Sequence, residues 1–195
     1  MRPAVFLDRD GTMIHDVGYL SRTEDVSWYA WTVDAIRLLN RAGFLVFVVT
    51  NQGGIGLGFY TEAFLRSLHV ELDAVLREAG AQVDGWFYCP HHPDARVPEL
   101  RVSCDCRKPG PGMIRQAERR FEIDLARSFV VGDKWTDIGM ARSVSARGIL
   151  VRTGYGDLEL RRRGENVPPA AHVAADLMEA TSWLLRASGH PRGAA

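Results

Sequence analysis

Apolar runs along the chain alternate between two periods. Pro3 to Leu7 and Leu45 to Val49 are continuous and short, as buried strands are, and each runs into polar residues: Asp8-Arg9-Asp10-Gly11-Thr12 and Thr50-Asn51-Gln52-Gly53-Gly54. Between them Val33, Ile36 and Leu39 recur at helical spacing, with Gly43 as the stop. Phe64, Leu68, Leu72, Val75 and Leu76 form a second helical stripe, with Thr61 as N-cap and Gly80 as stop. Val83 to Tyr88 is a weaker strand. Residues 89 to 112, rich in Pro, Cys, His and charge, read as a loop. Pro111 opens a helix marked by Met113, Ile114, Ala117 and Phe121. Phe129 to Val131 is a third strong strand and leads into Gly132-Asp133, with Thr136 as the expected cap of the next helix. Strands at Gly148 to Val151 and His172 to Ala174 and a last helix over Ala175 to Arg186 complete the pattern.

Strand and helix in alternation predict an α/β fold, a Rossmann-like parallel sheet with helices on both faces joined by right-handed crossovers. Sites in such sheets lie at the carboxyl ends of the strands. Three strands deliver Asp8 and Asp10, Thr50 and Asn51, and Asp133 to that edge. Two carboxylates one residue apart share a side of an extended chain. With Asp133 they offer hard oxygen ligands for Mg²⁺. One carboxylate can attack phosphorus while its neighbour moves a proton. Thr50 and Lys108 are the donors a phosphoryl group would need. Each piece alone has a blander reading: a turn at Asp8–Gly11, a strand cap at Thr50, a solvated basic turn at Arg107-Lys108-Pro109, a tight turn at Gly132-Asp133. Their order and placement on successive strand ends argue for chemistry.

Composition narrows the classes. The 195 residues hold 24 basic and 24 acidic side chains, so no net charge draws the chain to nucleic acid or to an anionic membrane. No stretch approaches the roughly 18 apolar residues of a bilayer span, and the first residues become charged too early for a signal peptide. The expectation is a cytoplasmic monomer, a single unit over residues 1–187 with a disordered tail at 188–195. The three cysteines all lie between positions 89 and 106, a clustering that favours metal over disulfides. Thiolates and an imidazole suit tetrahedral Zn²⁺, and Cys89, His91, Cys104 and Cys106 are the expected ligands, with His92 as the competing imidazole. Four protein ligands leave no open position, so the zinc would be structural. It would close the loop that runs into Arg107 and Lys108.

The motifs Asp8-Arg9-Asp10-Gly11-Thr12, Thr50, Lys108 and Gly132-Asp133-Lys134-Trp135-Thr136-Asp137 resemble the four signatures of the haloacid dehalogenase (HAD) superfamily of phosphatases. The resemblance implies that Asp8 is the nucleophile and Asp10 the general acid and base. It implies that Thr50 and Lys108 steady the phosphoryl oxygens, and that Asp8, the Asp10 carbonyl and Asp133 hold Mg²⁺. The short spacing from Asp8 to Thr50 leaves no room for a large cap, so short loops must cover the cleft. The Cys-Pro-His-His-Pro run at 89–93 and the Cys-Asp-Cys-Arg-Lys-Pro-Gly-Pro-Gly-Met run at 104–113 resemble the heptose bisphosphate phosphatase family. The histidinol-phosphate phosphatases are similar to a lesser degree. By that resemblance Arg9, Asp16, Val17, Gly18, Tyr19, Asn51, Gln52, Gly53, Arg107 and Lys134 bind substrate, a small phosphorylated molecule of the sugar bisphosphate kind. Leu57 stands where the family usually has Arg, and Trp28-Tyr29-Ala30-Trp31 is either packing or a modified cleft wall. Two further readings are histidinol-phosphate or another small sugar phosphatase, and a non-catalytic phosphosugar-binding or zinc-organised module; the intact Asp8, Asp10, Thr50, Lys108 and Asp133 argue against the latter.

Overall fold

The computed structural model describes residues 1–164, 167 and 169–189. Most of the expected tail, from residue 190, lies outside the described residues. Six parallel strands form one sheet: β1 (Ala4–Leu7), β2 (Leu45–Asn51), β3 (Gly85–Cys89), β4 (Phe129–Gly132), β5 (Arg147–Val151) and β6 (His172–Ala174), in the order β3-β2-β1-β4-β5-β6. Among the described residues, no helix is long and apolar enough to cross a membrane.

Central strands in such a sheet are buried on both faces, which is why their sequences are continuous apolar runs rather than alternating ones. Alternate residues serve the two layers. Val5, Leu7, Val46, Val48, Val131, Ile149 and Val151 meet α1 (Thr32–Arg41), α3 (Glu62–Glu78) and α7 (Leu177–Ala187). Ala4, Phe6, Phe47, Val49 and Val130 meet α4 (Gly112–Glu118) and α5 (Trp135–Ser143). Two short helices, α2 (Gly54–Leu57) and α6 (Gly156–Arg161), escape the sequence pattern because neither is long enough to carry a stripe.

Several boundaries differ for identifiable reasons. β3 starts at Gly85 rather than Val83, since Asp84 accepts from the Val46 amide with its carboxylate at 2.8 Å and donates its own amide to Val46 at 2.7 Å. It runs on to Cys89, opposite Asn51. The buried stripe of α3 is Leu65, Leu68, His69, Leu72 and Leu76, so Val75 faces solvent and a histidine takes a core position. α4 ends at Glu118, although Phe121 still packs on Phe47 with ring centroids 5.0 Å apart. Lys134, not Thr136, is the N-cap of α5: the chain stays extended through Lys134, and the Asp137 carboxylate accepts from its amide at 3.1 Å. Trp28, Tyr29 and Trp31 pack against the core, Tyr29 stacking on Trp31 at 5.2 Å, so the aromatic stretch is packing.

At the expected cap of α3, the Thr61 hydroxyl accepts from the Phe64 amide at 3.1 Å. Thr61→Ala removes that acceptor and should lower unfolding stability by about 1 kcal/mol, read as a lower urea midpoint with an unchanged slope.

Candidate active site

The strand order reverses direction at the boundary between β1 and β4, and a cleft opens outside the carboxyl ends of the strands there. Asp8 follows β1 directly, and its amide extends the ladder by donating to Val131 at 2.9 Å. Asp133 follows β4, and Asp137 lies one turn on in α5. All three carboxylates are buried, and each brings an oxygen within 4.8 Å of the others. Three such groups repel one another strongly away from water. Lys108 answers two of them: its Nζ donates to Asp8 Oδ1 and Asp137 Oδ1, both at 2.7 Å, and to the Val49 carbonyl at 3.1 Å. Burial opposes the charge on Lys108, but Asp137 and Asp8 outweigh it and hold the ammonium above the ordinary lysine value.

Asp133 is treated differently. Its Oδ2 accepts from the Tyr155 amide at 2.7 Å, whereas its buried Oδ1 has no hydrogen-bond partner among the described residues, the Lys134 ammonium standing 4.0 Å away. Burial, then the charge of Asp8, pushes its carboxyl up to about 8. A buried oxygen left open beside a second carboxylate is the arrangement a divalent cation completes. Asp137 is the poorer ligand, since Lys108 engages one oxygen and the Lys134 amide the other. Gly11 and Gly154, both at positive φ, flank Asp133, and a Cβ on either would collide with Asp133 Oδ2. Only a residue without a side chain fits there in that conformation.

Asp10 lies on the other side of the cleft. Arg9 grips it from behind, Nε to Oδ1 at 3.0 Å and Nη2 to Oδ2 at 2.8 Å, and Gln52 Nε2 donates to Oδ2 at 2.9 Å. Burial raises its proton affinity and the charge of Arg9 lowers it; the net direction is up. A carboxyl that holds its proton longer than usual suits a proton donor.

The cavity measures about 520 Å³ and is lined by Asp8, Asp10, Asp16, Gly18, Tyr19, Thr50, Asn51, Gly53, Arg107, Lys108 and Lys134, all expected from the sequence, and also by His92, Thr136 and Tyr155. Three expected substrate residues lie elsewhere. Arg9 and Gln52 are buried beneath Asp10, and Val17 points to solvent. Asp137 carries no role expected from the sequence, although its place four residues after Asp133 on a helix start is a usable signal. Loop residues hold the rim by specific bonds. Asn51 Oδ1 accepts from the Lys108 amide at 3.0 Å, Arg107 Nη1 donates to the His91 carbonyl at 3.0 Å, and Lys134 Nζ reaches Asp16 at 3.4 Å and sits 4.5 Å from the centre of the Tyr155 ring.

Behind Arg107 the three free cysteines and His91 converge. Cys106 Sγ lies 3.2 Å from Cys89 Sγ, 3.3 Å from Cys104 Sγ and 3.2 Å from His91 Nδ1, and Cys89 lies 3.6 Å from Cys104. These edges approach the roughly 3.7 Å sulfur–sulfur separation of a tetrahedral zinc thiolate site. Burial pushes the Cys89 and Cys106 thiols up, so their thiolates call for a cation. His92 faces the cleft instead, its Nδ1 accepting from the Asp94 amide at 3.1 Å. Of the two imidazoles, His91 is the one placed to bind metal with the cysteines.

Fold and cleft together define a HAD-like phosphoric monoester hydrolase, and residues 105–180 match the HAD-hydrolase-like family model. The chain is 42% identical over 183 residues to the D-glycero-beta-D-manno-heptose-1,7-bisphosphate 7-phosphatase of Escherichia coli strain K12, covering 94% of this chain and 88% of that one. It is 39% identical over 190 residues to the D-glycero-D-manno-heptose-1,7-bisphosphate 7-phosphatase of Thermosynechococcus vestitus, covering 94% and 95%. The crystal structure of D,D-heptose 1,7-bisphosphate phosphatase from B. bronchiseptica, complexed with magnesium and phosphate, superposes with a TM-score of 0.84 at 32% identity, over 96% of this chain and 99% of that one. The chain belongs to the D-glycero-D-manno-heptose-1,7-bisphosphate 7-phosphatase family.

The raised Asp133 carboxyl sets a pH dependence. Its folded value, about 8, lies above the ordinary 3.8, so its contribution to stability is full at low pH and is lost as pH rises through that window. A cation competes with the proton for the same oxygens. Mg²⁺ should therefore raise the melting temperature more at about pH 8 than at about pH 5, measured from magnesium-free buffer; equal shifts at both would contradict the assignment.

Proposed function

We propose that the chain is a magnesium-dependent phosphatase that removes the C7 phosphate of D-glycero-D-manno-heptose 1,7-bisphosphate through a phospho-aspartate on Asp8. The observation that carries the chemistry is the buried Lys108 ammonium, held between Asp8 and Asp137 where β1 and β4 end. It fixes the Asp8 side chain by an ion pair at 2.7 Å where that side chain lines the cleft, as a positioned carboxylate nucleophile requires. Asp8 attacks phosphorus and the bond to the sugar oxygen breaks, while Asp10 gives its proton to that oxygen. Asp10, now a base, takes a proton from water, which attacks the phospho-aspartate, releases phosphate and restores Asp8. The Thr50 hydroxyl and the Lys108 ammonium steady the phosphoryl oxygens.

The residues fit Mg²⁺: Asp8, Asp133 and the Asp10 carbonyl would hold it. It would supply positive charge against the phosphoryl group. Zn²⁺ is assigned to Cys89, His91, Cys104 and Cys106 in a structural role, bracing the loop whose next residues are Arg107 and Lys108. Asp16, Gly18, Tyr19, Asn51, Gly53, Arg107 and Lys134 are assigned to the substrate.

Family membership supports a heptose bisphosphate over other sugar phosphates. So does the rim, where Arg107 and Lys134 offer cations and Asp16 is already engaged by Lys134 and by the Gly18 amide at 2.7 Å. A second phosphate meets attraction there, whereas the amine of histidinol phosphate meets like charge. The working unit spans residues 1–187 and acts as a cytoplasmic monomer.

Asp8→Asn should remove turnover by several orders of magnitude while leaving the fold and zinc content intact. In steady-state comparison, the heptose bisphosphate should exceed histidinol phosphate in kcat/KM; the reverse preference would overturn the substrate. Cys106→Ala should drop zinc below one atom per chain by atomic absorption, and unchanged stoichiometry would sink the ligand set.

A further inference from the structure

Behind Asp10 lies a buried polar network that does not line the cleft. Arg9, 1% exposed, divides its donors among three partners. Two grip Asp10, Nη2 also reaches Gln52 Oε1 at 3.1 Å, and Nη1 stands 3.3 Å from His69 Nε2. Gln52 is fixed in turn: Oε1 also accepts from the Tyr60 hydroxyl at 2.6 Å, and Nε2 donates to Thr50 Oγ1 at 2.8 Å as well as to Asp10.

His69 belongs to α3, on the helix face that packs toward the sheet, and is 5% exposed. Its ring stacks on Trp86 at 4.8 Å and meets Tyr88 edge-on at 5.9 Å. A guanidinium has donors only, so the Nε2 facing it must carry a lone pair and the ring proton must sit on Nδ1. Burial, then the charge of Arg9, pushes His69 down to about 3, so the ring stays neutral and the acceptor persists.

The geometry points to His69 as a positioning residue for proton transfer: it holds Arg9 so that the guanidinium fork fixes the Asp10 carboxyl against the leaving oxygen. This rests on the reading of Asp10 as the proton donor. Without the lone pair, Nη1 becomes a buried donor with no acceptor, a costly state that favours rotation of the guanidinium. Rotation breaks the two-pronged grip on Asp10, which draws its geometric specificity from both bonds being made at once. Lys108 and the rim residues Arg107 and Lys134 take their bonds from groups other than Arg9 and His69, so their hold on substrate is left as it was.

The test separates proton delivery from general damage by the leaving group. A sugar alkoxide needs a proton as it departs; p-nitrophenolate does not. kcat/KM covers the steps through the first irreversible one, here phosphorylation of Asp8. His69→Phe keeps a ring against Trp86 and removes the lone pair, and His69→Leu replaces it if the Phe variant does not fold. His69→Gln restores an acceptor without a ring. Expected is a fall of about 10-fold or more in kcat/KM for the best sugar phosphate, against less than about 3-fold for p-nitrophenyl phosphate, with His69→Gln recovering most of the loss. Equal falls on both substrates, no fall, or a Gln variant no better than Phe would overturn the inference. Asp10→Asn is the reference: if it lowers both substrates equally, the reading of Asp10 itself fails. If Asp10→Asn is selective for the sugar phosphate and His69→Phe is not, only the role of His69 fails.

Discussion

The ion triad of Asp8, Lys108 and Asp137 is the constraint on which the site depends. β1 ends on Asp8, and the first turn of α5, just past β4, brings Asp137 against it, so two buried carboxylates crowd together where like charges repel strongly. One ammonium, donating to both carboxylates and to the Val49 carbonyl, makes the crowding tolerable. A buried charge that loses its partner costs several kcal/mol, so the three side chains stand or fall together. Lys108 reaches them from a loop a hundred positions along from Asp8, and much of the architecture of that loop serves to deliver it.

Delivery is arranged in stages from the sheet outward. β3 extends far enough to pair Cys89 with Asn51, which brings the cysteine cluster against the strand that carries Thr50. The loop that contains Cys104 and Cys106 is gathered to Cys89 and His91, and Arg107 then bonds back to the His91 carbonyl. Asn51 takes the Lys108 amide, so the last residue of β2 clamps the backbone of the residue that reaches Asp8. A metal held by that cluster, as proposed, would thus govern the placement of Lys108 without touching the substrate.

The alternation of buried strands and helices was legible because a doubly covered sheet demands continuous apolar runs, and the strand-end aspartates were legible because such sheets work at that edge. The cysteine cluster was legible from composition alone, since three thiols within eighteen positions have few other uses. What stayed hidden was depth. Arg9 reads as a cation beside a catalytic motif, yet it turns inward because Asp10, Gln52 and His69 supply acceptors for it there. The periodicity of α3 placed Val75 on the buried stripe and passed over His69, because a histidine scores as polar whatever it touches. His91 and His92 are adjacent and chemically identical, and only the path of the chain sends one to the cysteines and the other to the cleft. Leu57 still carries no rationale in the structure.

Gly11 and Gly154 close on Asp133 from two sides, leaving no volume for even a methyl group. The carboxylate is therefore set as if in a mould whose walls are main chain, and main chain cannot be repacked by neighbouring substitutions. Divergence within this scaffold is steered accordingly. Changes in what is hydrolysed would have to come from the rim, at residues such as Asp16, Tyr19, His92 and Arg107, whose side chains line the cavity. Changes in how it is hydrolysed would need the backbone around Asp133 to be rebuilt, so such a scaffold can acquire new substrates far more readily than a new reaction.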